Sequence, residues 1–161
     1  MDVQVEIELL APRLGKEIPL PAYATDGSAG MDLRACLKEP LVLKPGERVR
    51  VPTGFAMKLP GPEWVGLICA RSGLGARYGV TLPNGVGVID SDYTGEVQVA
   101  LTNLGSEPYE IQPGERIAQL LILPVAKVSW RVVDKLQPTA RGAGGFGSTG
   151  RQGSRTSVLR S

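Results

Sequence analysis

A Pro-Gly pair occurs three times in the chain, at residues 45–46, 60–61 and 113–114, and short apolar runs lie between these pairs. Because proline fixes φ and glycine tolerates a positive φ, such pairs favour tight turns and end regular structure. Between the turns, apolar and polar residues alternate, as they do in the range Val97–Leu101. Alternation with a period of two is typical of strands that bury one face. The sequence therefore predicts an all-β fold, either a sandwich, a barrel or a jelly roll.

The same pattern assigns particular stretches. It predicts an opening strand with one buried face at Val3–Leu9, a central apolar strand at Trp64–Cys69 and a last alternating strand at Val128–Val132. Only Arg71–Arg77 is compatible with a short helix. The stretch Thr81–Glu96 predicts a β-hairpin, since it contains an Asn-Gly pair, which favours a type I′ turn.

A length of 161 residues favours one domain with a sizeable core. The composition changes at Thr139, where a Gly-rich stretch begins that is too poor in apolar residues to form a core. We therefore expect a β domain at residues 1–138, a Gly-rich segment at 139–150 and a disordered Ser/Arg-rich tail at 151–161.

Charge and composition exclude several function classes. A net charge of +2 is too small for a general nucleic-acid binder, and the absence of histidine excludes Ser-His-Asp and Cys-His catalysis. Cys36 and Cys69 lack a CxxC spacing and lie among apolar residues, which indicates buried, reduced thiols. No signal region or run of spanning length is visible. We expect a soluble, cytoplasmic protein with neither a nucleic-acid nor a membrane partner.

Several groups could carry chemistry, and each also has an ordinary structural interpretation. Arg71-Ser72-Gly73 offers donors for phosphates or forms a simple turn, and Gln119 is an anion donor or an outward polar residue. Asp32 is a turn residue or a carboxylate near a metal ion. Asp90, Asp92 and Tyr93 follow an apolar run, where they could hold a planar ligand or merely form a turn. The glycines of 141–150 suit either a disordered tail or a phosphate-wrapping flap.

Taken together and in order, these groups resemble the five motifs of the trimeric dUTPases (deoxyuridine triphosphate nucleotidohydrolases). The first motif resembles Ala29–Leu33, the second Arg71–Gly75, the third Asn84–Gly95, the fourth Gly114–Gln119 and the fifth Arg141–Gly150. The resemblance extends from about Val3 to Gly150 and leaves residues 151–161 outside it.

The resemblance implies a distorted jelly-roll homotrimer that binds Mg²⁺ and hydrolyses dUTP to dUMP and pyrophosphate, lowering dUTP and supplying dUMP for thymidylate synthesis. Each site would combine the second and fourth motifs of one chain, the third motif of a neighbour and a mobile C-terminal flap of the third. With no histidine available, Asp90 is the expected catalytic base. The expected substrate-binding residues are Arg71, Ser72, Gly73, Asn84, Val88, Ile89, Tyr93, Gln98, Gln119, Arg141, Phe146, Ser148 and Thr149. Mg²⁺ would rest on the triphosphate and water, with Asp32 contributing through water and no direct protein ligand.

Three other functions remain open at this point. The dCTP deaminase branch shares the fold and the triphosphate handling implied by the resemblance, but acts on cytosine. A trimeric module without catalysis would bind nucleotide or a protein partner. A plain structural β-sandwich would leave the acidic stretch and the Gly-rich segment without a role.

Overall fold

The computed structural model describes residues 2–145, and ten strands and one short helix form within this range. The elements are β1 (Glu6–Leu9), β2 (Met31–Arg34), β3 (Leu41–Leu43), β4 (Arg48–Lys58), β5 (Trp64–Ala70), α1 (Ser72–Tyr78), β6 (Val80–Thr81), β7 (Gly87–Ile89), β8 (Glu96–Asn103), β9 (Tyr109–Ile111) and β10 (Arg116–Pro124). The predictions of an all-β fold, of a central strand at β5 and of a single short helix at α1 are confirmed.

The strands form two four-stranded sheets, with the orders β1-β4-β8-β6 and β2-β10-β5-β7, and a two-stranded ribbon of β3 and β9. All pairings between these strands are antiparallel. One hydrophobic cluster joins the sheets and includes Val51, Val99, Leu33 and Ala118, none of which is exposed to solvent. Burial of these side chains is the main stabilising contribution to the fold, at about 25 cal/mol per Å² of apolar surface.

Two of the Pro-Gly pairs form turns of the same construction. Gly46 and Gly114 have φ angles of 79° and 77°, as the third position of a type II turn requires. In each case the following residue, Glu47 or Glu115, donates its N–H across the turn, and its carboxylate accepts the N–H of the first turn residue at 2.9 Å. These turns connect the ribbon strands β3 and β9 to β4 and β10 of the two larger sheets.

The opening strand and the predicted last strand differ from expectation. All four residues of β1 are exposed, including Ile7 and Leu9, so no other part of residues 2–145 covers a face of this strand. No strand forms at Val128–Val132, where Trp130 is 91% exposed. Alternation identifies which side chains share a face, but a strand also needs a paired edge and a surface to cover that face.

The chain divides into two compact units, Met1–Lys127 and Val128–Ser161. All the strands and the helix belong to the first unit. Among residues 2–145, no helix is both long and apolar enough to cross a membrane. Cys36 and Cys69 are free, and both are half-buried rather than fully buried.

A buried asparagine provides a test of the core. The amide of Asn103 donates to the carbonyl oxygens of Leu43 at 2.9 Å and Glu107 at 2.8 Å, and its oxygen accepts the N–H of Gly105 at 2.8 Å. Replacing Asn103 by Ala orphans all three groups, so we expect a loss of about 3 kcal/mol or more in the free energy of unfolding. Urea denaturation at one protein concentration measures it. Asn84→Ala, at an exposed turn, is the control and should change stability by less than about 0.5 kcal/mol. A loss below about 1 kcal/mol for Asn103→Ala would contradict this account.

Candidate active site

A cleft of about 310 Å³ lies between β7 and β8. Six of the predicted site residues line it, namely Asn84, Val88, Ile89, Asp90, Tyr93 and Gln98. Within β7, Val88 is exposed whereas the side chain of Ile89 is buried in the core. A ligand in the cleft would therefore meet the side chain of Val88 but only the backbone of Ile89.

A turn after β7 positions the acidic and aromatic side chains of the cleft. The N–H of Tyr93 donates to the carbonyl oxygen of Asp90 at 3.2 Å, which closes the turn, and the Tyr93 hydroxyl donates to the carbonyl oxygen of Glu96 at 2.9 Å. The carboxylate of Asp90 is exposed and makes no ion pair within the described residues. It is thus free to accept a proton or a hydrogen bond from a ligand or from water.

The surrounding stretch is not the two-stranded hairpin that the Asn-Gly pair predicts. Gly85 does have a positive φ of 72°, and its N–H bonds to the carbonyl oxygen of Leu82. However, the strands on either side of this turn join different sheets, because β6 pairs with β8 and β7 pairs with β5. The turn therefore carries the chain from one sheet to the other, and this crossing opens the cleft.

A second group of polar side chains forms where β2 and β10 meet the end of β5. Asp32 lies opposite Gln119 in the β2–β10 pair, so the two side chains share a face. The Asp32 carboxylate is close to two guanidinium groups: Oδ1 is 3.3 Å from Arg71 Nε, and Oδ2 accepts from Arg116 Nη1 at 3.1 Å. Arg71 also donates to the carbonyl oxygen of Arg116 at 3.0 Å. This guanidinium cluster (Asp32, Arg71, Arg116) holds two positive charges against one carboxylate.

The helix that follows this cluster presents the rest of the second motif. Ser72 and Gly73 are exposed at the beginning of α1, while Leu74 anchors the helix in the core. Beside Arg71, the hydroxyl of Ser72 and the backbone of Gly73, which has no side chain to cover it, are therefore accessible to a ligand. Three of the predicted phosphate contacts, Arg71, Ser72 and Gly73, therefore lie together by chain continuity.

Burial beside the guanidinium cluster affects a neighbouring tyrosine. The Tyr109 hydroxyl bonds to the carboxylate of Glu115, the residue before Arg116. Burial raises the pKa of Tyr109 well above its usual range, and the bond and the charge of Glu115 raise it further. Tyr109 therefore remains protonated at neutral pH and keeps its bond to Glu115, which fixes the beginning of β10.

Sequence reasoning missed three residues of these two groups. Arg116 stands in the fourth motif, but its pairing with Asp32 depends on a register shift between Arg116 and Ala118 that no local pattern reveals. Arg50 and Glu96 line the cleft from β4 and β8. A polar residue on an alternating strand ordinarily faces solvent, so nothing in the sequence marks Arg50 or Glu96 as a residue of the cleft.

The guanidinium cluster and the cleft are separate sites on the chain. No residue of the cluster lines the cleft, and neither does Gln119. The predicted flap lies in the second unit, where Arg141 is exposed and donates to the carbonyl oxygen of Gly144 at 2.8 Å. Phe146, Ser148 and Thr149 lie outside the described residues.

Together these features define an all-β protein with the parts that a nucleotide hydrolase needs: a narrow edge for a base, an exposed carboxylate and cationic donors for phosphates. The dUTPase family profile matches residues 16–150. The chain belongs to the dUTPase family.

Individual relatives agree with this membership. The deoxyuridine 5'-triphosphate nucleotidohydrolase of Hahella chejuensis is 56% identical over 144 residues, which are 89% of this chain and 95% of that protein. A dUTPase mutant of Staphylococcus bacteriophage 80alpha, solved with dUpNHpp, is 26% identical with a TM-score of 0.79, over 91% of this chain and 98% of its own. A phage phi11 dUTPase described with a structural Mg(II) ion shares the fold at 22% identity and a TM-score of 0.70, over 82% of this chain and 97% of its own.

Proposed function

We propose that this protein hydrolyses dUTP to dUMP and pyrophosphate, with Asp90 as the base that activates water for attack on the α-phosphorus. The observation that carries the proposal is the cleft, where an exposed carboxylate, an edge strand and an aromatic ring meet. Membership of the dUTPase family supports the choice of substrate. The reaction lowers dUTP and supplies dUMP for thymidylate synthesis. We assign it to the cytoplasm, where free cysteines remain reduced.

The uracil base would be recognised by the backbone of β7. This strand is at the end of its sheet, so within the described residues its outer N–H and C=O groups have no strand partner. A sheet edge offers alternating donors and acceptors, which suit the edge of a pyrimidine. Cytosine would present a donor where uracil has an acceptor, and the backbone would be left unpaired. The Asn84 and Gln98 side chains add further contacts, and the Tyr93 ring would pack on the deoxyribose and exclude a 2′-hydroxyl.

The triphosphate would be held by donors from the guanidinium cluster and its surroundings. Arg71 provides a charged donor, while Ser72, Gly73 and Gln119 provide neutral ones. Asp32 keeps Arg71 and Arg116 in place before the nucleotide binds. The flap would close over the site, with Phe146 stacking on uracil and with Arg141, Ser148 and Thr149 contacting the phosphates.

The donors present fit a Mg²⁺ ion that is carried mainly by the substrate. The described residues contain no group of three or more acidic or cysteine side chains that could hold a metal ion. Asp32 Oδ1 is buried 3.3 Å from Arg71 Nε and accepts no hydrogen bond from residues 2–145. It would therefore have a lone pair for a water of the metal's hydration shell. Mg²⁺ on the triphosphate would neutralise its charge and improve the leaving group.

The decisive assay is release of pyrophosphate by the purified protein with Mg²⁺, offering dUTP, dTTP, dCTP and UTP side by side. Turnover of dUTP alone supports the reaction and the base and sugar selectivity together. Ammonia release from dCTP would indicate the deaminase reaction instead. Binding of dUTP without pyrophosphate release would indicate a module without catalysis.

We further propose a homotrimer in which each site combines parts of different chains. The separation of the guanidinium cluster from the cleft supports this arrangement, because residues 2–145 of one chain do not bring the cluster and the cleft into one pocket. Exposed apolar surface supports it as well. An apolar groove of about 210 Å³ includes Val5, Leu20 and Met31, and the neighbouring Leu9 and Leu10 are each nearly half exposed.

Complementation tests the shared site. Arg71→Ala and Asp90→Asn chains should each be inactive alone, yet equal co-expression should restore about a quarter of parent activity, because one site in four draws both intact residues from different chains. Pyrophosphate release by the mixed oligomer measures the recovery. As a control, Arg71→Ala mixed with Ser72→Ala should recover little, since both belong to the same part of the site. Absence of recovery in the first mixture, with a trimeric mass by light scattering, would show that each site lies within one chain.

A further inference from the structure

We propose that Gly95 is a positioning residue for sugar discrimination, because only a glycine at this position lets the Tyr93 ring reach the carbonyl of Glu96. The inference rests on the sugar-packing role proposed above for Tyr93. It concerns a residue that touches no ligand and acts by setting where the ring stands.

Both the backbone and the side-chain hydroxyl of Tyr93 make hydrogen bonds, although the residue lies at the surface. Its backbone N–H closes the turn on Asp90, and its hydroxyl donates to the Glu96 carbonyl oxygen at 2.9 Å. The residue is nevertheless 47% exposed. An exposed tyrosine ordinarily samples several rotamers, and holding one of them costs conformational entropy. The hydroxyl bond selects one orientation, so the ring stands ready before a ligand arrives.

Gly95 makes this orientation possible for a steric reason. A Cβ atom built on Gly95 would lie 2.6 Å from the Tyr93 hydroxyl oxygen, 2.8 Å from Cζ and 3.1 Å from Cε2. The ring therefore lies directly against the backbone at Gly95, in space that any side chain would occupy. Gly95 is not among the described glycines with a positive φ, so its backbone conformation is open to other residues. Space for the ring, and not the backbone angle, requires glycine here.

The acceptor for the hydroxyl is itself anchored. Glu96 begins β8 and pairs with Ala56 of β4. Its carboxylate Oε1 accepts the N–H of Gly54 at 2.9 Å, where Gly54 forms the irregular part of β4 with a φ of 80°. Both the backbone pairing and the side-chain bond fix Glu96 to β4, so its carbonyl oxygen has a defined position. The position of the ring therefore follows from Gly95 and Glu96 together.

A methyl group at residue 95 would push the ring off the backbone and break its bond to Glu96. The Tyr93 ring, which should pack on the deoxyribose, would then be displaced, while Asp90 and the phosphate donors would keep their positions. The expected consequence is a loss of selectivity between dUTP and UTP, not a uniform loss of activity.

The experiment compares kcat/KM for dUTP and for UTP in the parent and in Gly95→Ala, Tyr93→Phe, Tyr93→Ala and Gly27→Ala. We expect the dUTP/UTP ratio to fall roughly tenfold in Gly95→Ala, the size of effect that small steric changes have on discrimination. Tyr93→Phe keeps the ring but loses the bond to Glu96, so its dUTP/UTP ratio should fall by less. Gly27→Ala is the matched control, because a Cβ there meets nothing within 4 Å, and its ratio should equal that of the parent.

The outcomes separate this inference from the proposals on which it rests. If the parent does not turn over dUTP, the proposed function fails, and if Tyr93→Ala keeps the ratio, the role of the ring fails. If the proposed function and the role of the ring both hold, two results would show that Gly95 has no positioning role. Either Gly95→Ala keeps the dUTP/UTP ratio, or it lowers kcat/KM equally for both substrates. Should Gly95→Ala not fold, Tyr93→Phe decides: a reduced ratio supports the anchored ring, and an unchanged ratio overturns it.

Discussion

Asp90→Asn is expected to lower kcat for dUTP by about 10²–10⁴-fold, the usual contribution of a general base. The substitution keeps the size of the side chain and removes its ability to take a proton. The backbone carbonyl of Asp90, which closes the turn with Tyr93, remains. Substrate binding should therefore change little, because the edge of β7 and the phosphate donors are untouched. Stopped-flow pyrophosphate release gives kcat, and calorimetry with a non-hydrolysable analogue gives the affinity.

A neighbouring aspartate provides the control for this experiment. Asp92 belongs to the same turn, is exposed and does not line the cleft. Asp92→Asn makes the same change in charge two residues further along the chain, at a side chain with no proposed role, so its kcat should match that of the parent. Normal turnover by Asp90→Asn would mean that the base lies elsewhere. An equal loss of kcat in both variants would indicate that the negative charge of the turn matters, and not proton transfer by Asp90.

A chain ending at residue 140 is expected to lose roughly 30- to 1,000-fold in kcat/KM for dUTP. The truncation removes the charged donor of Arg141 and the ring of Phe146, contacts that are typically worth about 2–4 kcal/mol together. The first compact unit ends at Lys127, so its folding should survive the truncation. Initial rates of pyrophosphate release over a range of dUTP concentrations separate kcat from KM.

The matched control for this truncation is a chain ending at residue 150. It keeps the whole stretch matched by the family and removes only the Ser/Arg-rich end. Its kinetics should equal those of the full chain. Unchanged kinetics for the chain ending at residue 140 would show that the flap has no part in turnover.

The sequence was most informative where structure is determined by a few adjacent residues. Gly46 and Gly114 adopt the positive φ that a type II turn demands, and the strands on either side follow from alternation. The short helix at α1 was also visible. In each case the physical cause is local, so a single chain without relatives is enough to predict it.

Predictions failed where the outcome depends on a distant partner. An Asn-Gly pair favours a reversal of the chain but does not say which strands will pair, and β6 and β7 join different sheets. The alternating residues of Val128–Val132 find no edge to pair with in the described chain. The ion pairs of Asp32 with Arg71 and Arg116 join residues that lie far apart in sequence, and the pair with Arg116 forms beside a register shift in β10. The order of the five motifs nevertheless indicated residues of both the cleft and the guanidinium cluster. Motifs are defined by residue types along the chain, so they do not require knowledge of which strands pair.

The length of β7 has a consequence for solubility. An uncovered sheet edge is a template on which strands of other molecules can add, and long exposed edges lead to aggregation. β7 has only three residues, and the turns before and after it redirect the chain. Three residues offer enough polar groups for one small planar molecule but too few for a stable intermolecular strand. Within the described residues, β7 can thus keep the open edge that the proposed recognition of uracil needs without offering a template for an intermolecular strand.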